Sequence, residues 1–384
     1  MKILCVAGAR PNFVKIAPLM RALAQRPVFT ARLVHTGQHY DAALSRVFFD
    51  ELGIPRPDLE LEVGSGSHAL QTAEIMRRFA PVVAAEQPHA VLVVGDVNST
   101  IACALVTAKT LLAQPFNCAL GLRRRPVMIH VEAGLRSGDD DMPEEINRKL
   151  TDAISDLLFV SEPAGLDNLR REGVGEARLC FAGNVMIDTL LAAQAQAQRS
   201  DVLTRLGLQD GGYGLLTLHR PSNVDDPAAL AALLQTLDRI AAELPLVFPV
   251  HPRTRAQLTA AHAALVPPRW RLCEPLGYLD FLRLTSGARV VLTDSGGVQE
   301  ETTVLGVRCL TLRDNTERPV TVSEGTNTLA GTRPETILAA WERARAAPTH
   351  GRIPALWDGQ AATRIVAELE RRLTPLPTAA DAQR

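Results

Sequence analysis

Residues 130–148, HVEAGLRSGDDDMPEEINR, hold the side chains that proton transfer beside an anion requires. Glu132 is expected where an apolar strand ends, Arg136 follows in a glycine-bearing turn, and Glu144 opens a helix at Pro143-Glu144-Glu145. Carboxylates on a rigid scaffold, with an arginine in reach, suit general acid–base work next to a charged substrate. The ordinary first-turn acids of a helix account for Glu144 and Glu145. They do not account for Glu132 and Arg136. A second stretch, residues 292–301 (LTDSGGVQEE), reads as strand, tight turn and helix. Gly296 and Gly297 let backbone N–H groups approach a ligand closely, and the helix start after Ser295 favours an anion such as pyrophosphate. Glu301, one turn on, can accept both hydroxyls of a ribose, and Arg318 can add a charge-assisted contact to phosphate. The plainer reading of this stretch is a strand–helix turn with Ser295 as N-cap. In a third stretch, GARPNFVKIAP, Pro11 suits a first helical turn, and Arg10 and Lys15 can clamp an anion. Lys15 alone also fits a surface charge.

Short apolar runs alternating with helical patterns must position these groups. Strands are expected over residues 2–7, 32–35, 90–94, 127–131, 156–160 and 178–181, and after a break over 214–218, 246–250, 269–273, 290–293 and 307–312. Continuous Val/Ile/Leu runs between helices mark parallel strands buried on both faces. Residues 189–212 are helix-like without a strand and are the expected link between two such units. The expected fold class is therefore α/β, with two Rossmann-like parallel-sheet domains facing a central cleft. These are residues 1–182 and residues 183–358, with a C-terminal helix in 359–384 packing back on one of them. Strand after strand finishes in residues ill suited to a core, among them Gly8-Ala9-Arg10, Gly95-Asp96, His130, Glu132, His219-Arg220, His251-Pro252-Arg253 and Thr293-Asp294-Ser295. In open parallel sheets ligands bind outside the carboxyl ends of the strands. Their shared placement makes Asp96, His219 and His251 candidates and puts the expected site between the domains. Residues 114–125, QPFNCALGLRRR, are expected to be an irregular surface insertion.

Composition removes several function classes. The 384 residues carry a formal net charge of −1, which disfavours a nucleic-acid partner and a polybasic membrane anchor. No apolar run is long enough to span a bilayer, and Met1-Lys2 leads straight into a strand without a signal-peptide pattern. The six cysteines are scattered without a CxxC pair and read as reduced thiols. A cytoplasmic location is expected. The GxGxxG and GxxxxGK[ST] patterns are missing, which disfavours a nicotinamide or flavin site and a P-loop. HExxH and GxSxG are missing too, which disfavours a zinc site and a hydrolase elbow. No cofactor and no metal are expected. The acid run 139–141 reads as a solvated loop rather than a cation site.

Taken in order, GARPNFVKIAP, GDVNST, HVEAGLRSGD, PEEINR, LLTLHR, PVHPR, TDSGGVQEE and TERP resemble the bacterial UDP-N-acetylglucosamine 2-epimerases of the non-hydrolysing type, over nearly the whole chain. The resemblance implies a GT-B-like fold, metal-free and NAD-free, with UDP held mainly by the second domain, and a homodimer. It implies Asp96, Glu132 and Glu144 as catalytic carboxylates and His219 as a diphosphate-side or leaving-group contact. It implies Arg10 and Lys15 as anion and sugar-phosphate contacts, and Ser295, Gly296 and Gly297 as a diphosphate cradle. Glu301 then matches the ribose carboxylate, Arg318 a second phosphate clamp, and Phe281 a position beside the uracil ring. Arg136 and His251 complete the expected substrate-binding set. The implied reaction interconverts UDP-N-acetylglucosamine and UDP-N-acetylmannosamine, by loss of UDP to a 2-acetamidoglucal and its re-addition, for cell-surface polysaccharide precursors.

Elementary chemistry agrees with that reaction. The C2 proton of the sugar has no adjacent carbonyl on the ring, so inversion needs oxidation nearby or elimination. Without a nicotinamide motif, elimination is favoured. Two faces need two proton-transfer groups, and which of Asp96, Glu132 and Glu144 serves which face stays open. The stretch HTGQHYD, with GAR near the start, also resembles epimerases of UDP-2,3-diacetamido-2,3-dideoxyglucuronate. Gln38-His39-Tyr40-Asp41 lacks the arginine of the activating UDP-sugar site found in bacterial members. Three further readings share much of this pattern: a hydrolysing epimerase that releases N-acetylmannosamine and UDP, a glycosyltransferase, and a non-catalytic UDP-sugar-binding protein.

Overall fold

The computed structural model describes residues 1–37, 49–258, 270–346 and 348–374, the Arg10 side chain excepted. Gln38-His39-Tyr40-Asp41 thus lies outside the described residues. The chain forms two compact units, Met1–Thr189 with Ala355–Arg384, and Leu190–Pro354.

The first unit runs β1 (Lys2–Ala7), α1 (Arg10–Ala24), β2 (Thr30–His35), β3 (Leu59–Glu60), α2 (His68–Glu86), β4 (Ala90–Val94) and α3 (Asn98–Lys109). A hairpin of β5 (Phe116–Cys118) and β6 (Gly121–Arg123) follows. Then come β7 (Val127–Ala133), α4 (Pro143–Ile154), β8 (Leu157–Val160), α5 (Pro163–Arg171), β9 (Leu179–Phe181) and α6 (Val185–Ala197). Seven strands make one parallel sheet in the order β3-β2-β1-β4-β7-β8-β9. β4 and β7 are buried along their whole length, as a sheet covered on both faces demands. Helix α2 shows how the cover is made. Ser67 caps its start by accepting from Leu70 N–H, and Gln71, Ile75, Phe79 and Val83 form a buried stripe at four-residue spacing. Each large apolar side chain on such a stripe contributes about 1.5–3 kcal/mol. The helix ends at Gln87, whose φ of 45° is left-handed.

The second unit runs α7 (Val202–Arg205), β10 (Gly214–Thr217), α8 (Pro221–Val224), α9 (Pro227–Ala241), β11 (Leu246–Pro249), α10 (Pro252–Gln257) and β12 (Arg271–Cys273). It continues with α11 (Tyr278–Gly287), β13 (Val290–Thr293), α12 (Gly296–Leu305), β14 (Cys309–Thr311), α13 (Pro319–Ser323), β15 (Asn327–Leu329) and α14 (Pro334–Ala346). Its parallel sheet has the order β12-β11-β10-β13-β14-β15. Leu216, Leu234, Phe248, Leu292, Leu310 and Trp341 belong to its core.

The chain then returns to the first unit as α15 (Ala361–Leu373), which packs on α1. Three contacts hold the return. Trp357 Nε1 donates to the Ser161 carbonyl at 2.8 Å. The Asp188 carboxylate accepts from the N–H groups of Ala361 (3.1 Å) and Ala362 (2.7 Å), two donors that the first turn of a helix leaves without partners. Gly183 sits at φ 87°, and a Cβ there would fall 2.1 Å from the Leu356 carbonyl oxygen, so only glycine lets the two backbones pass.

Two expectations need correction. Residues 114–125 are not irregular: they hold the β5–β6 hairpin, pinned by Ala119 N–H to the Arg372 carbonyl (3.2 Å), by an Arg123–Asp156 ion pair (2.6 Å) and by the Phe116 ring against His89. Strand β7 does not stop at residue 131 but runs to Ala133 through a register shift, because Glu132 takes an extra backbone position. Residues 189–212, expected to be helix-like without a strand, hold the end of α6 and the whole of α7. All six cysteines are free thiols. Among the described residues no helix is long and apolar enough to cross a membrane.

Replacing Asp188 with Ala leaves the first-turn N–H groups of α15 buried without an acceptor. Denaturant unfolding should show a loss of roughly 1–3 kcal/mol, with a smaller loss for Asp188→Asn, which keeps one acceptor.

Candidate functional site

In each sheet the chain starts in the middle, builds outward one way and then the other, so strand order reverses between β1 and β4, and between β10 and β13. Such switch points open a crevice at the carboxyl ends of the strands. The candidate residues gather there.

In the first unit, the turn after β1 is tied down by Asn12, whose Oδ1 accepts from Gly8 and Ala9 N–H (3.0 and 3.1 Å) while its Nδ2 donates to the Val94 carbonyl (3.0 Å). This fixes the start of α1, where Arg10 is the first residue. The Arg10 side chain lies outside the described residues. Lys15, on the next turn of α1, is buried and pairs with Glu132 Oε1 at 2.6 Å. Its ammonium crosses directly over Gly95, 2.9 Å from where a Cβ would stand. Glu132 has φ 72°, a left-handed conformation that costs about 1–3 kcal/mol outside glycine and is typical of functional sites. The bulge aims its carboxylate at Lys15.

Asp96 follows Gly95 at the end of β4. Its Oδ2 accepts from Arg148 Nη1 at 2.7 Å, and its side chain keeps 22% exposure. Glu144 stands in the first turn of α4, half-buried. Behind these groups His130 is fully buried, with Nδ1 2.6 Å from Asp152 Oδ1 and Nε2 2.8 Å from the Gly95 carbonyl. Asp152 Oδ2 accepts from Gly134 N–H (3.0 Å) and pairs with Arg136 (2.8 Å). Burial pushes the Asp152 carboxyl up, but His130 and Arg136 outweigh it and hold it below the usual carboxylate range. Arg136 also pairs with Glu172 at 2.7 Å. Its guanidinium is thus matched by two carboxylates of its own unit.

In the second unit, buried Asp294 at the end of β13 organises the turn after β10. It accepts from the N–H groups of His219 (3.0 Å) and Arg220 (2.9 Å) and from Asn223 Nδ2 (3.2 Å). It also pairs with His219 Nδ1 at 2.9 Å. Burial pushes this carboxyl up, yet His219 and the two backbone donors overturn that and bring it to about 2. The His219 ring keeps 39% exposure. Held by Nδ1, it presents Nε2 with a fixed orientation. His251 stacks obliquely on it, ring centroids 5.5 Å apart, and its Nδ1 accepts from Arg253 N–H.

Ser295 is the N-cap of α12, but its side chain makes no capping hydrogen bond. The first-turn N–H groups at Gly296 and Gly297 therefore have no side-chain acceptor there, as an anion site at a helix start needs. Arg318 Nη1 lies 3.0 Å from where a Cβ on Gly296 would stand. It is fixed by Glu300 (2.9 Å) and sits with Arg313 and Arg220 around Glu317. Burial pushes the Glu317 carboxyl up, but Arg313, Arg318 and Arg220 hold it far below the usual carboxylate range. Glu301 is buried one turn into α12 and accepts from the Tyr278 hydroxyl at 3.2 Å. Burial, with Glu300 nearby, pushes Glu301 up to about 7 despite that bond. Phe281, on the same helix as Tyr278, is half-buried against the core of this unit.

Residues 21–370 match the family model described as UDP-N-acetylglucosamine 2-epimerase. The chain belongs to that family. Among its relatives, a UDP-2,3-diacetamido-2,3-dideoxy-D-glucuronate 2-epimerase of Pseudomonas aeruginosa is 38% identical, over 97% of this chain and 100% of that protein. A UDP-N-acetylglucosamine 2-epimerase of Methanocaldococcus jannaschii is also 38% identical, over 89% and 92%. The crystal structure of the M. jannaschii UDP-GlcNAc 2-epimerase in complex with UDP-GlcNAc and UDP has a TM-score of 0.87 at 37% identity, covering 96% of this chain and 99% of that one. That of Neisseria meningitidis, bound to UDP-GlcNAc, has a TM-score of 0.85 at 27% identity, covering 97% and 100%. The two parallel-sheet α/β domains of this epimerase-family chain are of the GT-B-like kind.

Within the first unit, Lys15 and Glu132 meet over Gly95, Asp96 follows it and pairs with Arg148, and Arg136 turns to Asp152 and Glu172. Within the second, His219 and His251 meet, and Ser295, Gly296 and Arg318 meet. Sequence reasoning missed Arg148, Asp152, Tyr278 and Glu317 as partners of these groups. Arg148 stood inside the PEEINR motif and Glu317 inside TERP, the available signals; Asp152 and Tyr278 carried none that spacing reveals.

The raised Glu301 predicts a pH dependence. Its folded-state value of about 7 lies above the ordinary 4.5, so over that interval the folded chain holds a proton that the unfolded chain has released. Stability from this group is full at the acid end and is lost as pH rises toward about 7. The melting temperature of the parent chain should therefore fall between about pH 5 and about pH 8 more steeply than that of Glu301→Gln.

Proposed function

We propose that this epimerase interconverts UDP-N-acetylglucosamine and UDP-N-acetylmannosamine without net hydrolysis, with the UDP half held by the second unit and proton transfer supplied by the first. The observation that carries the reading is the set of two carboxylates, Asp96 and Glu132, each bound by a buried cation at the switch point of one sheet. Family membership gives the reaction class: an epimerase acting on UDP-sugars.

The chemistry runs in balanced steps. The C1–O bond to UDP breaks, and the diphosphate takes the electron pair. The uncapped start of α12, Arg318 and His219 stabilise that charge. Positive charge on the ring acidifies C2–H, and a carboxylate of the first unit takes the proton, leaving a 2-acetamidoglucal. A second group returns a proton to C2 from the other face, and UDP oxygen adds back to C1. Proton transfer by positioned groups supplies roughly 10²–10⁴-fold in rate. Glu301, ionised, accepts the ribose hydroxyls, and Phe281 lies beside the uracil.

A second substrate is favoured by one observation. The Pseudomonas aeruginosa relative acting on the diacetamido-glucuronate matches this chain end to end at 38% identity. Both sugars share C1, C2 and the 2-acetamido group, so the mechanism is unchanged.

Incubation with each UDP-sugar in deuterated water, followed by NMR at C1 and C2, tests the reading. The expected outcome is the C2 epimer with deuterium at C2 and UDP still attached. Free N-acetylmannosamine with UDP would instead mark a hydrolysing enzyme. Asp96→Asn and Glu132→Gln should each lower kcat by roughly 10²–10⁴-fold; wild-type turnover in either refutes its role.

A further inference from the structure

Helix α4 carries more than Glu144. The Arg148 guanidinium, 2% exposed, donates through Nη1 to Asp96 Oδ2 at 2.7 Å. Its Nε and Nη2 reach Glu145 Oε2 at 3.0 and 2.9 Å. Glu145, fully buried, in turn accepts from the N–H groups of Ser137 (3.0 Å) and Gly138 (3.1 Å), in the loop that follows Glu132. Asn147 donates to the Asp96 backbone carbonyl at 2.9 Å. One helix thereby grips the Asp96 side chain, the Asp96 backbone and the loop after β7, and the same helix carries Glu144 in its first turn.

The physical consequence follows from burial. A guanidinium does not give up its proton in a protein, so here it must be matched by carboxylates. An opposite charge this close favours the ionised form of the acid it touches. Arg148 lies behind Asp96, on the side away from solvent, and Asp96 keeps its partial exposure. Lysine in its place would supply a point charge without the planar fork that reaches Asp96 and Glu145 together.

We propose that Arg148 is a positioning residue for the epimerase reaction: it holds Asp96 ionised and oriented as a base and fixes α4 so that Glu144 stands in one place relative to it. The inference rests on the reading of Asp96 as a proton-transfer group. The charged groups around Asp96 come from several elements. Arg148 and Glu145 lie on α4. Lys15 on α1 and Glu132 on β7 flank Gly95. His130 holds the Gly95 carbonyl, and His68 on α2 hydrogen-bonds Asn98, two residues after Asp96. Arg148 pairs with the Asp96 carboxylate itself, so its removal is read out in the titration of that group.

The test compares wild type, Arg148→Lys and Arg148→Met by steady-state kinetics across pH, with melting temperatures alongside. Arg148→Met, which removes the charge, should move the acid limb of kcat upward by about one pH unit. Arg148→Lys, which keeps the charge but loses the fork, should lower kcat roughly 10²-fold through misplacement, with KM within a few-fold and the limb near its wild-type place; if Arg148→Met does not fold, the lysine variant decides through its kcat. An acid limb that stays in place in Arg148→Met, or activity lost in the lysine variant only in step with melting temperature, overturns the proposal and leaves Arg148 a structural residue. A wild-type chain that turns over neither UDP-sugar overturns the functional reading itself and this role with it, and the two failures are told apart by the wild-type result alone.

Discussion

A charge with no water around it must meet its opposite within a few ångströms, and that requirement organises both sheets. Arg148 meets Asp96 and Glu145, Lys15 meets Glu132, and Asp152 meets His130 and Arg136. In the second unit Asp294 meets His219 and four donors in all, and Glu317 meets three arginines. Breaking one such buried pair leaves an uncompensated charge, at a cost of about 3–5 kcal/mol. The fold itself therefore holds these groups in place. Hydrogen bonds and dipoles that need no rearrangement when charge develops are the most effective kind.

The backbone serves the same end. Glu132 tolerates a left-handed φ because the strand on either side of it is locked into the sheet. Gly95 at β4 leaves room for the Lys15 ammonium, which any larger residue would displace. Ser295 leaves the start of α12 uncapped. Each is a small local sacrifice of regularity, and each lies at or near the carboxyl end of a strand. By contrast Glu301, buried beside Tyr278 and Glu300, is an acid that burial leaves near neutral pH.

Much of this was legible in the residues alone. β1, β4 and β13 begin and end with their apolar runs, and the polar residues Gly95-Asp96 and Asp294-Ser295 follow β4 and β13 directly. The edge strands β3 and β15 escaped notice because two or three residues carry no periodicity. The β5–β6 hairpin escaped because its turn, Ala119-Leu120, lacks the usual glycine or asparagine pair. In the site, Lys15 and Glu132 are 117 residues apart and Arg148 and Asp96 are 52 apart; spacing along the chain does not show which cation answers which acid. Arg136 looked suited to substrate for that reason. Its partners Asp152 and Glu172 depend on where α4 and α5 settle on the sheet.

The return of α15 to the first unit has a consequence for how the molecule is made. The second unit is an insert: its whole sequence, Leu190–Pro354, emerges from the ribosome before the first unit has received its last helix. Domains fold as units, in the order their sequence becomes available. The later-encoded unit thus completes its core first. The earlier one waits, with the α1 face that α15 covers still open, until α15 has emerged, and Asp188 and the hairpin tip at Ala119 are already in place to receive it.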